Sequence, residues 1–409
     1  MGNKFKTYYG LPEEVKFCKK CVISNQRPSS VVEFKHKLTD IKPTIYFDDD
    51  GDCDACRANE LKKEIDWKKR EEELFILCDK YRRKDGYWDC VVPGSGGKDS
   101  AMTAHLLKYK YGMNPLTVTW QPILYTDYGF QNFLNWIDIG GFDNISFRRN
   151  GRIMKLLTKL AIENLFHPFQ TFIIGQKNIA PKIAAKFNIP LIFYGENQAE
   201  YGNSVADNIQ SVMERSFYTF SHLNEVFLGG VSVTELMEKY NVSLSDIMPF
   251  LPVSLDELKN KNIEFHYLGY FEKWVPQEVY YYAVEHTGFK ARPFRSQGTY
   301  SKYNSIDDKI DDLHYYTTFI KFGIGRATYD ASQEIRNNHI TREEGVALVN
   351  KFDGEFPDRY FNEVMQYLDM RPEHFIKLAD KYRSPHLWGK DGSGNWKLRH
   401  NVNGSGLDD

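Results

Sequence analysis

The stretch Val91-Val92-Pro93-Gly94-Ser95-Gly96-Gly97-Lys98-Asp99-Ser100 sets small, hydroxylated and charged residues at a spacing suited to holding an anion. Before it, Asp89-Cys90-Val91-Val92 is short, β-rich and closed by Pro93-Gly94, as a buried parallel strand would be. After Asp99, apolar residues at Ala101, Ala104, Leu106 and Leu107 repeat with helical spacing, and Ser100 stands near the start of that helix. The glycines therefore fall in a strand-to-helix turn, where free backbone N–H groups meet the positive end of a helix. Phosphate is the expected ligand. Two familiar phosphate loops fail on spacing. A Walker loop needs a hydroxyl residue after its lysine, but Asp99 follows Lys98. A dinucleotide fingerprint needs a small residue three places after its second glycine, but Asp99 again stands three places after Gly96.

Ser95-Gly96-Gly97-Lys98-Asp99-Ser100 resembles the S-G-G-x-D-S loop of the PP-loop ATP pyrophosphatases. The resemblance implies cleavage of ATP between its α and β phosphates. A substrate oxygen is adenylated, and a nitrogen or sulfur nucleophile then displaces it. The residue types suit that chemistry. Gly96 and Gly97 let backbone amides approach the pyrophosphate without a Cβ in the way. Ser95 and Ser100 add hydroxyl donors and Lys98 a point charge. Asp99 is suited to hold Mg2+, which neutralises charge building on the leaving pyrophosphate.

A second constellation is Cys18-x-x-Cys21 with Cys53-x-x-Cys56. Two such knuckles can supply four thiolates to a tetrahedral zinc, as in zinc ribbons, and a closed site of this kind is structural. The segment 44–56, Thr-Ile-Tyr-Phe-Asp-Asp-Asp-Gly-Asp-Cys-Asp-Ala-Cys, supplies a strand and turn into the second knuckle. A pair of disulfides and an iron–sulfur cluster are the competing readings. Cys78 and Cys90 read as core residues.

The elements that must position these groups follow from length and periodicity. A chain of 409 residues exceeds one ordinary core, which predicts two or three domains. The formal charge of −2 gives no global footprint for nucleic acid. No apolar run approaches a membrane span, and residues 1–10 lack the apolar core of a signal peptide, so the expected location is the cytoplasm. Residues 57–85 are charged and helical, with Leu61, Ile65, Leu74 and Leu77 as an apolar stripe. Further strands are expected at 116–120, 172–175 and 191–195, with helices near 130–137, 151–165 and 178–187. That alternation predicts an α/β fold, a doubly wound and mostly parallel sheet with ligands at the carboxyl ends of its strands. Trp120, Gly175, Gly195 and Glu196 are accordingly expected beside the nucleotide. The expected organisation is a zinc-binding module at 1–60, a helical linker at 61–88 and an ATP pyrophosphatase core at 89–230. A mostly helical C-terminal part at 231–390 and a tail at 391–409 complete it.

The blocks 298–303 (Gly-Thr-Tyr-Ser-Lys-Tyr), 308–314 (Asp-Lys-Ile-Asp-Asp-Leu-His) and 321–344, together with the cysteine knuckles, the glycine loop and Tyr194–Gly202, resemble the N-acetyl sugar amidotransferase family. The resemblance runs over nearly the whole chain and implies the HUP-like fold of PP-loop enzymes. It also implies a role in the synthesis of lipopolysaccharide O-antigen or flagellar-glycan sugars. The acetamido group of a nucleotide-linked sugar would become an acetamidino group, using ATP and ammonia. Adenylating a poorly electrophilic amide oxygen gives an imidate that ammonia can attack, with AMP as the leaving group. The chain shows no recognisable glutaminase: residue 2 is Gly2, and no cysteine sits in a G-x-C-x-G elbow. The resemblance implies a separate glutaminase subunit and an ammonia-channelling subunit, similar to the HisH and HisF proteins of histidine synthesis.

Within the C-terminal blocks, Lys321 and Arg326 are the candidates to bind the β and γ phosphates. Glu196 is a candidate to hold magnesium or orient ammonia. Lys302, Lys309 and Asp311 are candidates to grip the sugar acid or the amide, and Arg292 and Arg295 a diphosphate or carboxylate. Two other function classes compete. A tRNA thiolase shares the loop and knuckles, but every cysteine here precedes Ser95, which leaves none after the loop to carry sulfur. An ATP-sensing scaffold would not need Asp99.

Overall fold

The computed structural model describes residues 5–29, 39, 41, 43–195, 211, 212, 219 and 222–407. Its centre is a five-stranded, wholly parallel sheet formed by β1 (Cys90–Pro93), β2 (Pro115–Trp120), β3 (Asp143–Phe147), β4 (Leu191–Tyr194) and β7 (Glu264–Tyr267), in the order β3-β2-β1-β4-β7. Two antiparallel pairs stand apart from it: β5 (Phe227–Leu228) with β6 (Val231–Ser232), and β8 (Trp388–Lys390) with β9 (Trp396–Leu398). In β1, alternate residues point to opposite faces. Val91 packs with Leu116, Val118, Ile192 and Phe265 in one core layer. Cys90 and Val92 pack with Leu191 and Phe193 in the other.

Helices cover both faces. In chain order they begin with α1 (Asp54–Leu61), α2 (Trp67–Tyr81), α3 (Lys98–His105), α4 (Asp127–Asp138), α5 (Gly151–Leu165) and α6 (Gln170–Phe187). Next come the short α7 (Val233–Lys239), α8 (Leu244–Ile247), α9 (Leu255–Asn260) and α10 (Leu268–Phe271). The C-terminal series is α11 (Pro276–Thr287), α12 (Asp311–Phe322), α13 (Arg326–Arg336), α14 (Arg342–Phe352), α15 (Asp358–Tyr367) and α16 (Pro372–Tyr382). A third core layer joins the cysteine module to this series. Leu11, Cys18, Cys21 and Ile23 pack with Phe166, Leu313, Phe375 and Tyr382.

Three expectations are corrected. Residues 172–175 are not a strand but part of α6, whose buried positions Gln170, Thr171, Ile174, Gly175, Asn178, Pro181, Ala184 and Ala185 recur with helical spacing. A short apolar run cannot by itself distinguish the two. The actual third strand, Asp-Asn-Ile-Ser-Phe, is a half-exposed edge whose polar residues masked it. Residues 57–85 break at Ile65, because Asp66 accepts from Lys69 N and caps α2 afresh, and Leu61 is left exposed. The sheet also draws its last strand from beyond residue 230. Among the described residues, no helix is long and apolar enough to cross a membrane.

Candidate active site

β1 is the central strand. The chain steps to β2 and β3 on one side of it, then returns to β4 on the other, so the turn after β1 lies at the switch point where open α/β sheets bind ligands. The glycine loop is that turn. Gly94 N donates to Val118 O at 2.9 Å and carries the pairing one residue beyond β1. Gly96 has φ +85°, and a Cβ there would stand 2.7 Å from Asn132 O and Phe133 Cα, so only glycine lets the loop lie this close to α4. Gly97 caps α3 without a side-chain bond, which leaves the first-turn amides of α3 without a side-chain acceptor at the cap. Ser100 Oγ donates to Gly97 O at 3.0 Å, and Thr103 Oγ1 to Asp99 O at 2.8 Å. Lys98 is buried, with its ammonium 2.6 and 2.8 Å from the two oxygens of Asp99.

The loop opens into a cavity of about 380 Å³. Ser95, Gly97, Lys98 and Asp99 form one part of its lining and Gly129 and Asn132 of α4 another. Phe289, Tyr303, Asn304, Ser305, Ile306, Asp307, Arg326 and Gln333 complete it. Arg326 opens α13, where its Nε donates to Asp330 Oδ1 at 2.8 Å and its guanidinium lies over the Tyr315 ring. Asp330 is almost wholly buried and also accepts from Thr299 Oγ1 (2.6 Å) and Asn304 Nδ2 (3.1 Å), so one carboxylate ties the start of α13 to the 299–304 loop. Segment 303–308 is sewn to the turn before α4. Thr126 donates from N to Asp307 O at 3.1 Å and from Oγ1 to Ile306 O. The Asp308 carboxylate accepts from the backbone N–H groups of Ile123, Leu124 and Ile310. Its burial raises the Asp308 carboxyl to about 7. Asn132 exchanges two bonds with the Lys290 backbone, at 2.8 and 2.9 Å, which fixes the Phe289 side of the cavity.

The cavity brings together Ser95, Gly97, Lys98, Asp99 and Arg326 among the residues singled out by sequence. Others lie elsewhere. Lys321 is buried, donates to Leu165 O at 2.8 Å and packs over Tyr9 and Phe322, so it does not line the cavity. Gly175 and Trp120 pack against each other in the core: a Cβ on Gly175 would stand 2.1 Å from the indole, which also stacks on Phe147. Lys309 pairs with Glu363 at 2.6 Å, Lys302 is exposed, and the Asp311 carboxylate accepts from Asp308 N at 3.3 Å; none lines the cavity. Arg295 is taken up by Glu355 at 2.5 and 2.6 Å, and Arg292 lies buried against Ser296. Glu196 lies outside the described residues. Sequence reasoning passed over Asn304, Ser305 and Asp307. They sit between the charged residues of two blocks already singled out, and that adjacency was the available signal.

The four cysteines of the two knuckles meet in one buried cluster, with all four sulfurs within 4.8 Å of one another. Cys18 Sγ and Cys56 Sγ are 3.8 Å apart, and Cys21 Sγ and Cys53 Sγ 3.7 Å. Zinc–thiolate bonds of about 2.3 Å in a tetrahedron require sulfur separations of about 3.8 Å, so the donor set fits that ion. Arg342 of α14 clasps the first knuckle through the carbonyls of Cys21 and Cys18, at 3.1 and 3.3 Å. Cys78 and Cys90 are buried in the core, as expected.

Comparisons with known proteins bear on the C-terminal part. Residues 203–344 match the family of D12 class N6 adenine-specific DNA methyltransferases, a span that takes in only β7 of the five-stranded sheet and excludes the glycine loop. No curated protein matches the chain. The solved structure of NMN synthetase from Francisella tularensis is similar over 67% of this chain and 94% of that one, at 12% identity and a TM-score of 0.27. Residues 297–402, which carry Tyr303, Asp307, Arg326 and Gln333 of the cavity, match the family described as LPS biosynthesis protein WbpG-like, C-terminal domain.

Proposed function

We propose that the chain is an ATP-dependent sugar amidotransferase that forms AMP and pyrophosphate during lipopolysaccharide biosynthesis. It converts the acetamido group of a nucleotide-linked N-acetylated sugar to an acetamidino group. One observation carries this reading: the Ser95–Ser100 loop and the WbpG-like segment line a single cavity at the switch point of the sheet. In this reading the amides of Gly97 and α3 and the Lys98 ammonium bind the β and γ phosphates, joined by Arg326. Asp99 exchanges its lysine partner for Mg2+, which offsets charge on the departing pyrophosphate. Polar groups of Asn304, Ser305 and Gln333 orient the amide. The Cys18, Cys21, Cys53 and Cys56 thiolates hold a structural zinc that fixes the N-terminal module on α14. Ammonia comes from a partner glutaminase similar to HisH, with a HisF-like channelling subunit.

Cysteine geometry weighs against a thiolase. Burial pushes the Cys78 thiol up to about 12 and that of Cys90 well above its ordinary value, so neither is a nucleophile. The test is AMP and pyrophosphate release with ATP, Mg2+, ammonium and a panel of UDP- and CMP-linked N-acetylated sugars. Release should require both a sugar and Asp99, and Asp99→Asn should abolish it. Release that needs bulk tRNA instead would overturn the sugar reading.

A further inference from the structure

The charged side chains of the cavity are unequally matched. Lys98 is paired with Asp99, and Arg326 with the buried Asp330 behind it. Asp307 also lines the cavity and is half-buried, yet among the described residues its carboxylate has neither a cation nor a hydrogen-bond donor. Its backbone, by contrast, is tightly fixed. Asp307 O accepts from Thr126 N, Ile306 O accepts from Thr126 Oγ1, and the Asp308 carboxylate takes three backbone N–H groups. The chain approaches α4 so closely that a Cβ on Gly129 would stand 2.3 Å from Asp307 Cα. The backbone of Asp307 is thus anchored at the cavity wall, and its carboxylate, without a partner of its own among the described residues, is available to a group bound there.

We propose that Asp307 is a catalytic residue of the second half-reaction, matching the cation that forms as ammonia replaces AMP. The inference rests on the amidination reading. In the first half the amide oxygen bonds to the α-phosphorus of ATP, and pyrophosphate leaves with the electron pair of the broken P–O bond. In the second half the ammonia lone pair forms a C–N bond, and the C–O bond to AMP breaks with its pair going to AMP. The one proton lost is the amide N–H, which passes to pyrophosphate in the first half, so the adenylated imidate is neutral and the positive charge appears only as ammonia adds and AMP leaves. The sum is amide, ATP and ammonia giving amidinium, AMP and singly protonated pyrophosphate. The reacting group is neutral as the amide and as the deprotonated imidate, and positive as the amidinium. A fixed carboxylate therefore favours the second half-reaction, and it can accept two N–H bonds from the planar cation, as from a guanidinium.

The half-reactions separate experimentally. Sugar-dependent exchange of labelled pyrophosphate into ATP, without ammonia, reads adenylation alone. Formation of amidinated sugar from the same UDP- and CMP-linked panel with ammonium reads the whole reaction. Asp307→Asn should keep exchange within about threefold and lose about 100-fold or more of amidination, with Asp307→Glu recovering part of it. Loss of exchange and amidination together would place Asp307 in ATP binding or in the fold and overturn the proposal, as would amidination at the wild-type rate. A wild-type chain that makes no amidinated sugar refutes the amidination reading itself, and the role of Asp307 falls with it.

Discussion

Replacing Gly97 by alanine separates the anion-holding role of the loop from its role in the fold. Gly97 has φ −66° and ψ 159°, an extended conformation open to any residue. The nearest atom to an added Cβ is Ser95 Oγ at 3.8 Å, so a methyl group fits without moving backbone. Two small effects then act on stability. Alanine is a poorer helix cap than glycine by about 0.5–1 kcal/mol. Stiffening the unfolded chain returns about 0.4–1 kcal/mol. The two nearly cancel, and the unfolding midpoint should move by no more than about 2 °C. Function should respond differently. Gly97 lines the cavity, and a phosphate oxygen must come within about 2.9 Å of the loop amides to be bound. A methyl group there displaces the phosphate by roughly an ångström, a misplacement that costs on the order of 100-fold in rate. The assay is kcat/KM for ATP in sugar-dependent pyrophosphate release, with thermal unfolding alongside. A variant that keeps kcat/KM within about threefold would refute the loop as the phosphate cradle.

Three further outcomes are expected. Arg326→Ala should lower kcat/KM for ATP by about tenfold or more, whereas Lys321→Met should leave the KM for ATP alone and cost about 1–3 kcal/mol in urea unfolding, because Leu165 O loses its buried donor. The purified chain should carry one zinc per molecule by elemental analysis; Cys56→Ser should release it and lower the unfolding midpoint, since these sulfurs sit in one core layer with Phe375 and Tyr382. Stability should fall as pH rises from about 4 toward 7: burial raises Asp308 to about 7 and Asp312 to about 6, so the folded chain keeps protons that the unfolded chain has released. Unfolding free energies at about pH 5 and about pH 8 check this, and Asp312→Asn should flatten the slope.

The parts of this molecule legible in its sequence are those governed by local rules. The glycine loop announces itself because a strand, a turn needing φ > 0 at Gly96 and a helix start follow one another within a dozen residues. The cysteine cluster is legible because each C-x-x-C pair sets two thiols side by side within one short local turn, although that spacing alone does not choose among zinc, disulfides and an iron–sulfur cluster. What was missed depends on distant contacts. Trp120 ends a strand next to the central one, as a nucleotide contact would, but Gly175 of α6 closes over its ring and seals it into the core. Lys321 has the charge expected of a phosphate ligand, yet α12 buries it against Leu165 and Tyr9. Asp307 and Asn304 were passed over in favour of longer charged neighbours. Their place in the cavity is set by bonds to Thr126 and Asp330, 181 and 26 residues away, which no local pattern encodes.

The most direct test of the account is the mass of the sugar after incubation with ATP, Mg2+ and ammonium. Amidination exchanges the amide oxygen for an NH group, so the product should be lighter by that difference, in step with AMP and pyrophosphate. A sugar of unchanged mass across the whole panel, with ATP still cleaved, would contradict it.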